Sequence, residues 1–345
     1  MSEEYLREIY VTHVLDCLAD PRKIRVIAEL SGDVQSVLPY VAALLPQAGY
    51  NHAAGILMIY PMMVNLRLEA LVKAGRNVRG VGLAVVYNFV WAPPIGLVLA
   101  RVFLHDPLLA LGFLLVMVVP CSSMSIGYTG LAEGNLELAT VIVALSFVLA
   151  VAAVPLWMLV FAAQYQVPLP IQDMLGSILT VLIAPMLLGY LTRRGLVHWL
   201  GETRFQRLQP LFPSLSLLAM FGIVFLIFLA KATLIVTQWS TVLLLLVPNA
   251  LFVGITLAGI TWLNRRLGLS YRDNMAVVFA STGKNNGTAI AIATMAFSPL
   301  VAIPAATMPI FQILLLVLYL KAAGWLRGYF GERAVAPQEP RAKVG

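Results

Sequence analysis

Two short runs bring together residue types that can hold a solute or an ion. The first, VPCSSMSIGYTG (119–130), places Pro120 before Cys121, Ser122, Ser123 and Ser125, with Gly127 close behind. The second, STGKNNGTA (281–289), places Ser281, Thr282, Lys284, Asn285 and Asn286 around Gly283 and Gly287. Proline and paired glycines interrupt a helix and leave carbonyls and amides without intrahelical partners. Such groups can bind a ligand directly. Cys121 follows Pro120 at the mouth of a helix fragment, where a soft thiol could ligate a metalloid; cysteine is also a common small buried hydrophobe. Small hydroxyl residues also serve close helix packing, which accounts for Ser and Thr more readily than for a Gly-Lys-Asn-Asn-Gly run.

The chain around these runs belongs in a bilayer. Of 345 residues, 60% are hydrophobic and 11% charged, far from the roughly 45–50% and about 25% of a soluble domain. Apolar stretches recur at 53–66, 80–101, 107–130, 137–162, 171–192, 211–230, 239–263, 273–297 and 301–325, most of them near the roughly 20 residues that a span needs. Both polar runs therefore lie inside expected spans, at 107–130 and 273–297. Lys284 sits about mid-span, where an ammonium costs at least ~2.5 kcal/mol and calls for a cavity or a partner. Breakpoint carbonyls, an anionic solute or the carboxylate of Glu137 can fill that role; snorkelling to the interface is the alternative.

The net charge of +7 does not indicate nucleic acid, because Lys and Arg gather in short loops between apolar stretches. Loops 67–79, 193–208 and 264–272 and the tail hold 16 of them, against Arg101 and Lys231 on the other side. This predicts a multi-pass protein of the cell membrane with a cytoplasmic C-terminus and, with nine spans, an external N-terminus. Cys17 and Cys121 are too few and too far apart for a disulfide framework or a zinc site. No metal and no cofactor is expected. No cleavable leader is apparent, since the start is acidic and mixed. Residues 1–50 form an extramembrane segment or small module, with IRVIAEL read as a strand; 51–328 form the membrane domain and 329–345 the cytoplasmic tail.

An internal echo points to a carrier. VVYNFVWAPPIGLVLA (85–100) precedes the first interrupted span, and LLLLVPNALFVGITLAG (243–259) precedes the second; each holds an internal Asn and Pro. Interrupted helices at matching places of an inverted repeat mark a midplane substrate site. Candidate substrate ligands are Asn88, Cys121, Ser122, Ser123, Ser125, Asn285 and Asn286. Candidate coupling residues are Lys284, Thr282, Ser281 and Glu137, and the breaks are set at Pro120, Gly127, Gly283 and Gly287.

From about Gly55 to Gly328 the sequence resembles the bile acid:sodium symporter superfamily, and within it the arsenical-resistance permeases that export arsenite. ILMIYPMMVNLRLEAL resembles their tyrosine-proline second helix and NFVWAPPIGL their asparagine-tryptophan-proline third. Cys121 falls where the permeases carry their essential cysteine, and FASTGKNNGTAIAIA matches their asparagine-asparagine segment. The resemblance implies an all-α, ten-helix inverted-repeat carrier, here without its first helix, in which a core domain holds two crossed broken helices beside a panel domain. Two departures matter. The permeases carry a carboxylate just after the asparagine pair, where this chain has Gly287. The sodium symporters use a glutamate and a glutamine where this chain places Ala280 and Lys284. A sodium ion about 4 Å from a fixed ammonium meets a repulsion of roughly 4 kcal/mol at an effective dielectric near 20, which argues against sodium coupling.

The reading that follows is a secondary-active carrier that exports arsenite or a related metalloid oxyacid against protons. A symporter or uniporter of a small organic anion, with Lys284 as counter-charge, is the alternative; a membrane receptor or scaffold is remote, since it has no use for polar breaks so costly. Paired carboxylates, a histidine-rich metal site and a nucleophile–base pair are all missing from the spans, so no enzyme is expected. The expected partners are a small-molecule or metalloid solute, the proton and the lipid bilayer; a homodimer is left open. The charge pattern makes a direct prediction. A reporter fused after Gly345 should be cytoplasmic and one before Met1 external; a cytoplasmic N-terminal reporter would reveal a further span within 34–66.

Overall fold

In the computed structural model the described residues are 59–67, 69, 77–168, 170–209, 211–230 and 239–331. The expected N-terminal module, Cys17, the strand expected at IRVIAEL and most of the C-terminal tail lie outside them. The described part is helical, and its helices begin where the side chains can cap them. Asn77, Asp106, Asn135, Ser270 and Asn285 each accept a main-chain N–H of the first turn that follows, satisfying donors that would otherwise be orphaned.

Helix α1 covers 59–64. Helix α2 (Val78–Val86) runs through a π-turn (Tyr87–Trp91) into α3 (Ala92–Phe103). Then come α4 (Pro107–Val118), α5 (Met124–Leu131) and α6 (Leu136–Tyr165). Helix α7 (Ile171–Ile178) passes through a second π-turn (Leu179–Ile183) into α8 (Ala184–Leu200), followed by α9 (Glu202–Leu208) and α10 (Leu211–Ala230). The chain continues with α11 (Trp239–Arg266), α12 (Tyr271–Thr282), α13 (Asn286–Ala296), α14 (Pro299–Lys321) and α15 (Ala323–Tyr329).

Five stretches among the described residues are long and apolar enough to cross a membrane: 78–103, 136–165, 171–200, 244–266 and 300–321. All coincide with expected spans, within a turn or two at the ends. The expected spans 107–130 and 273–297 are each two helices, α4 with α5 and α12 with α13. Two breaks differ from expectation: Gly287 is already the second residue of α13, past the interruption. Gly127 lies inside α5 rather than at an interruption, because the chain has already regained helical geometry at Met124.

The two broken helices cross. Helix α4 packs on α13, and α5 packs on α12. On one side the half-helix ends are tied together: Asn135 Nδ2 donates to Asp273 Oδ1 at 2.7 Å, the Asn135 N–H to the Arg272 carbonyl at 2.9 Å, and the Tyr271 hydroxyl to the Ala132 carbonyl at 2.8 Å. Helix α14 lies against both α4 and α13 and closes the crossing laterally.

That closure depends on a missing side chain. A Cβ at Gly112 of α4 would stand 2.0 Å from the Val301 carbonyl oxygen of α14. Main chain cannot yield as a flexible side chain does, and between helices in lipid close backbone approach is a main source of attraction. Gly112→Ala should therefore destabilise the purified protein by roughly 1–3 kcal/mol, the usual cost of overpacking, read as a lowered melting temperature. Gly254→Ala, where nothing lies within 4 Å of the added carbon, should leave it level or raise it. An unchanged melting temperature for Gly112→Ala would show that α4 and α14 separate freely.

Candidate functional site

The centre of the site is the point where the two breaks meet. Main chain without a partner is not tolerated at membrane depth, so each group in the unwound segments must be accounted for. Cys121 and Lys284 face each other as an isolated antiparallel bridge. The Ser122 N–H donates to the Gly283 carbonyl at 2.7 Å, and the Asn285 N–H to the Pro120 carbonyl at 3.0 Å. Each break also borrows one side chain from a neighbouring helix. Ser146 of α6 accepts the Cys121 N–H at 3.2 Å. Gln312 of α14 accepts the Lys284 N–H and donates to the Lys284 carbonyl, both at 3.1 Å. A Cβ on Gly283 would meet Ser125 Oγ at 2.7 Å and the Phe279 carbonyl at 2.8 Å, so this position takes no larger residue.

Lys284 is buried, with 1% of its surface exposed. Its ammonium donates to Asn88 Oδ1 at 2.9 Å and reaches the Asn88 carbonyl at 3.4 Å. Asn88 is itself fixed, its amide donating to the Ala84 carbonyl at 2.9 Å and reaching the Ala280 carbonyl and Ser281 Oγ at 3.4 and 3.5 Å. Asn88, expected among substrate ligands, is thus the lysine's partner. Glu137, expected as a carboxylate partner for Lys284, is not brought to it. It is exposed in the first turn of α6, where a negative charge complements the helix dipole.

The thiol of Cys121 is fully buried and lies 3.0 Å from Ser146 Oγ. Ser125 Oγ donates to the Phe279 carbonyl at 2.9 Å and pins α5 to α12. Asn285 caps α13, accepting the Thr288 N–H at 3.1 Å, with its amide toward Met62 Sδ at 3.8 Å. Thr282 Oγ1, Asn286 Oδ1 and Thr288 Oγ1 are buried without a hydrogen-bond partner among the described residues.

Beside the crossing lies a cavity of ≈ 60 Å³. A water molecule needs only about 10–15 Å³, so several water-sized groups fit. Its walls include Ser122, Ser123, Lys284, Asn285, Asn286 and Gly287 of the two breaks. Cys121, Ser125, Ser281 and Thr282 are not among them. Residues that the sequence did not single out complete the walls: Met62, Met124 and Met220 with their thioethers, Ser216 and Gln312. The Ser216 hydroxyl, like Asn286 Oδ1, has no partner among the described residues. Ser146 and Gln312 escaped notice because a lone polar residue in an apolar stretch has no spacing signature.

The family profile described as "Sodium Bile acid symporter family" matches residues 54–238, more than half of the chain. Among curated proteins, the sequence is 26% identical to the arsenical-resistance protein Acr3 of Corynebacterium glutamicum, aligned over 79% of this chain and 78% of that protein. It is 24% identical to the Acr3 of Alkaliphilus metalliredigens over 56% of this chain and 57% of that one. It is also 24% identical to the putative symporter YfeH of Escherichia coli, over 71% and 74%. With its broken helices and this coverage, the chain belongs to the sodium bile acid symporter family.

Proposed function

We propose that this membrane transporter is a secondary-active carrier that exports arsenite or a related neutral metalloid oxyacid, taking up protons in exchange. The observation that carries this reading is the cavity against the crossed breaks, whose walls bear hydroxyls, amides and thioethers. Its ≈ 60 Å³ suit a solute of a few heavy atoms and are small for a steroid. A neutral oxyacid presents O–H donors, and the unpaired Asn286 Oδ1 and Ser216 Oγ are the acceptors such donors require. Thioethers are soft donors compatible with a metalloid centre. Ser216 stands near the start of α10, which follows the short helix α9 that carries Arg204 and Arg207. On the positive-inside rule the cavity then loads from the cytoplasm, as export requires.

Cys121 supplies the softest donor at the crossing, one residue from the cavity wall at Ser122. Reaching the cargo means exchanging its contact with Ser146 for one with the metalloid. Lys284 is the proton-exchanging group, a role that lysine can fill and arginine cannot. The small organic anion is the second reading, favoured by Lys284 in the cavity wall; against it, the ammonium is already engaged by Asn88.

Everted membrane vesicles with an imposed proton gradient should accumulate arsenite. Asn286→Ala should weaken uptake by up to roughly tenfold, the worth of one neutral hydrogen bond. Vesicles that take up small carboxylates and ignore arsenite would replace this reading with the organic anion. Cys121→Ser can keep the contact with Ser146 while removing the thiol. It should fold normally and abolish arsenite resistance in sensitive cells; full resistance would remove thiol ligation from the mechanism.

A further inference from the structure

At the C-terminal end of α11 two guanidiniums lie over aromatic rings. Arg265 stands 3.8 Å from the centroid of the Tyr329 ring of α15, and Arg266 5.4 Å from that of Trp262, one turn earlier in α11. A ring under a guanidinium holds the group in place and leaves N–H donors at its rim to bond elsewhere. Both arginines are exposed, and among the described residues neither meets a carboxylate. The cations beside them are already engaged. Arg327 donates to Glu133 Oε2 at 2.6 Å, and Arg79 donates to the Leu267 carbonyl.

Apolar tracks lead up to these charges. Helix α11 packs on α14, and each carries exposed apolar side chains: Leu251, Ile255 and Trp262 on α11, and Ile310, Leu314 and Leu318 on α14. They recur every four or seven residues, so each track keeps to one face of its helix. Arg266 extends the first track one turn beyond Trp262. In a bilayer such faces meet acyl chains. Trp262 and Trp325, 54% and 68% exposed, mark the headgroup level at which indoles collect. Trp325 also stacks on Tyr329 at 5.3 Å, which joins α15 to the patch. Chain-facing apolar tracks, an aromatic boundary and free cations follow one another in the order of a phospholipid's own parts. A zwitterionic headgroup brings a cation of its own, so the charge complementarity favours a net-anionic one. On the positive-inside rule this end of α11 lies in the cytoplasmic leaflet, where anionic lipids meet basic pockets.

We propose that the end of α11, together with α15, binds the phosphodiester headgroup of an anionic phospholipid, with Arg265 and Arg266 donating to its oxygens. Tyr329 holds Arg265 ready, so that part of the ordering precedes binding. A lipid held there bridges α11 to α15, and α15 in turn grips the turn between α5 and α6 through Arg327 and Glu133. The site is separate from the cavity at the crossing and holds whichever solute that cavity carries.

The test is thermal unfolding of the purified full-length protein in a neutral detergent, titrated with phosphatidylglycerol, with phosphatidylcholine of the same chains, or with soluble glycerol phosphate. Phosphatidylglycerol alone should raise the melting temperature saturably, as a ligand of the folded state does, and added salt should weaken the effect. Replacing both arginines, Arg265→Gln with Arg266→Gln, should lower the apparent affinity about thirtyfold, the usual worth of two interfacial cations. The pair Arg204→Gln with Arg207→Gln removes as much charge from α9 and should respond like the native protein. Tyr329→Leu keeps both charges but frees Arg265, and its affinity should fall between the two. Equal responses of the native protein to the two phospholipids would overturn the proposal even if no variant were recovered. An undiminished response after loss of Arg265 and Arg266 would overturn it as well. So would a shift produced by glycerol phosphate alone, which would reassign the patch to free anions. Arsenite uptake is not part of this readout, so failure here leaves the transport reading intact.

Discussion

Two stretches of unwound main chain lie in the middle of an apolar helix bundle, and the amides and carbonyls they leave open draw partners from each other and from the neighbouring helices. Lipid offers no hydrogen bonds. The two breaks solve the problem mutually, with Ser122 donating to Gly283 and Asn285 to Pro120. What they cannot supply comes from Ser146 and Gln312, one from the helix that follows each broken pair. Breaks paired this way bring their polar side chains to one place. The cavity is a by-product of that meeting.

Much of this was legible beforehand. Pro120 and Gly283 mark interruptions because their effect on a helix is local. The long spans are equally plain from length and apolarity. The partner of Lys284 was harder to see. Charge suggests a carboxylate such as Glu137. It is exposed at a helix start, while a neutral asparagine, 196 positions from the lysine, does the work. The π-turn that aims Asn88 has no spacing rule of its own; only the Asn-x-x-x-x-Pro-Pro order of residues 88–94 hints at it. Gly127 misled for the opposite reason: glycine at that place breaks nothing, since the helix has resumed.

Packing and polarity divide the labour. Glycine at 112 lets α14 come against α4 at main-chain distance, and the same α14 brings Gln312 to Lys284. Side chains that look structural by composition are thus what position the chemistry. The thioethers of Met62, Met124 and Met220 stand at the other extreme. They are adaptable, and they line part of the cavity.

A π-turn is an α-helix with one residue too many. Each residue advances a helix by about 100°, so excising one residue between Tyr87 and Trp91 would restore the regular ladder and swing everything on one side of the cut by that angle. Asn88 would leave Lys284, and the carbonyl that now faces the ammonium would return to the helix. The pairing of Asn88 with Lys284 therefore depends on chain length as well as on residue identity. Among relatives, its gain or loss should be sought in gaps of an alignment near this position, where a comparison of substituted letters alone would miss it.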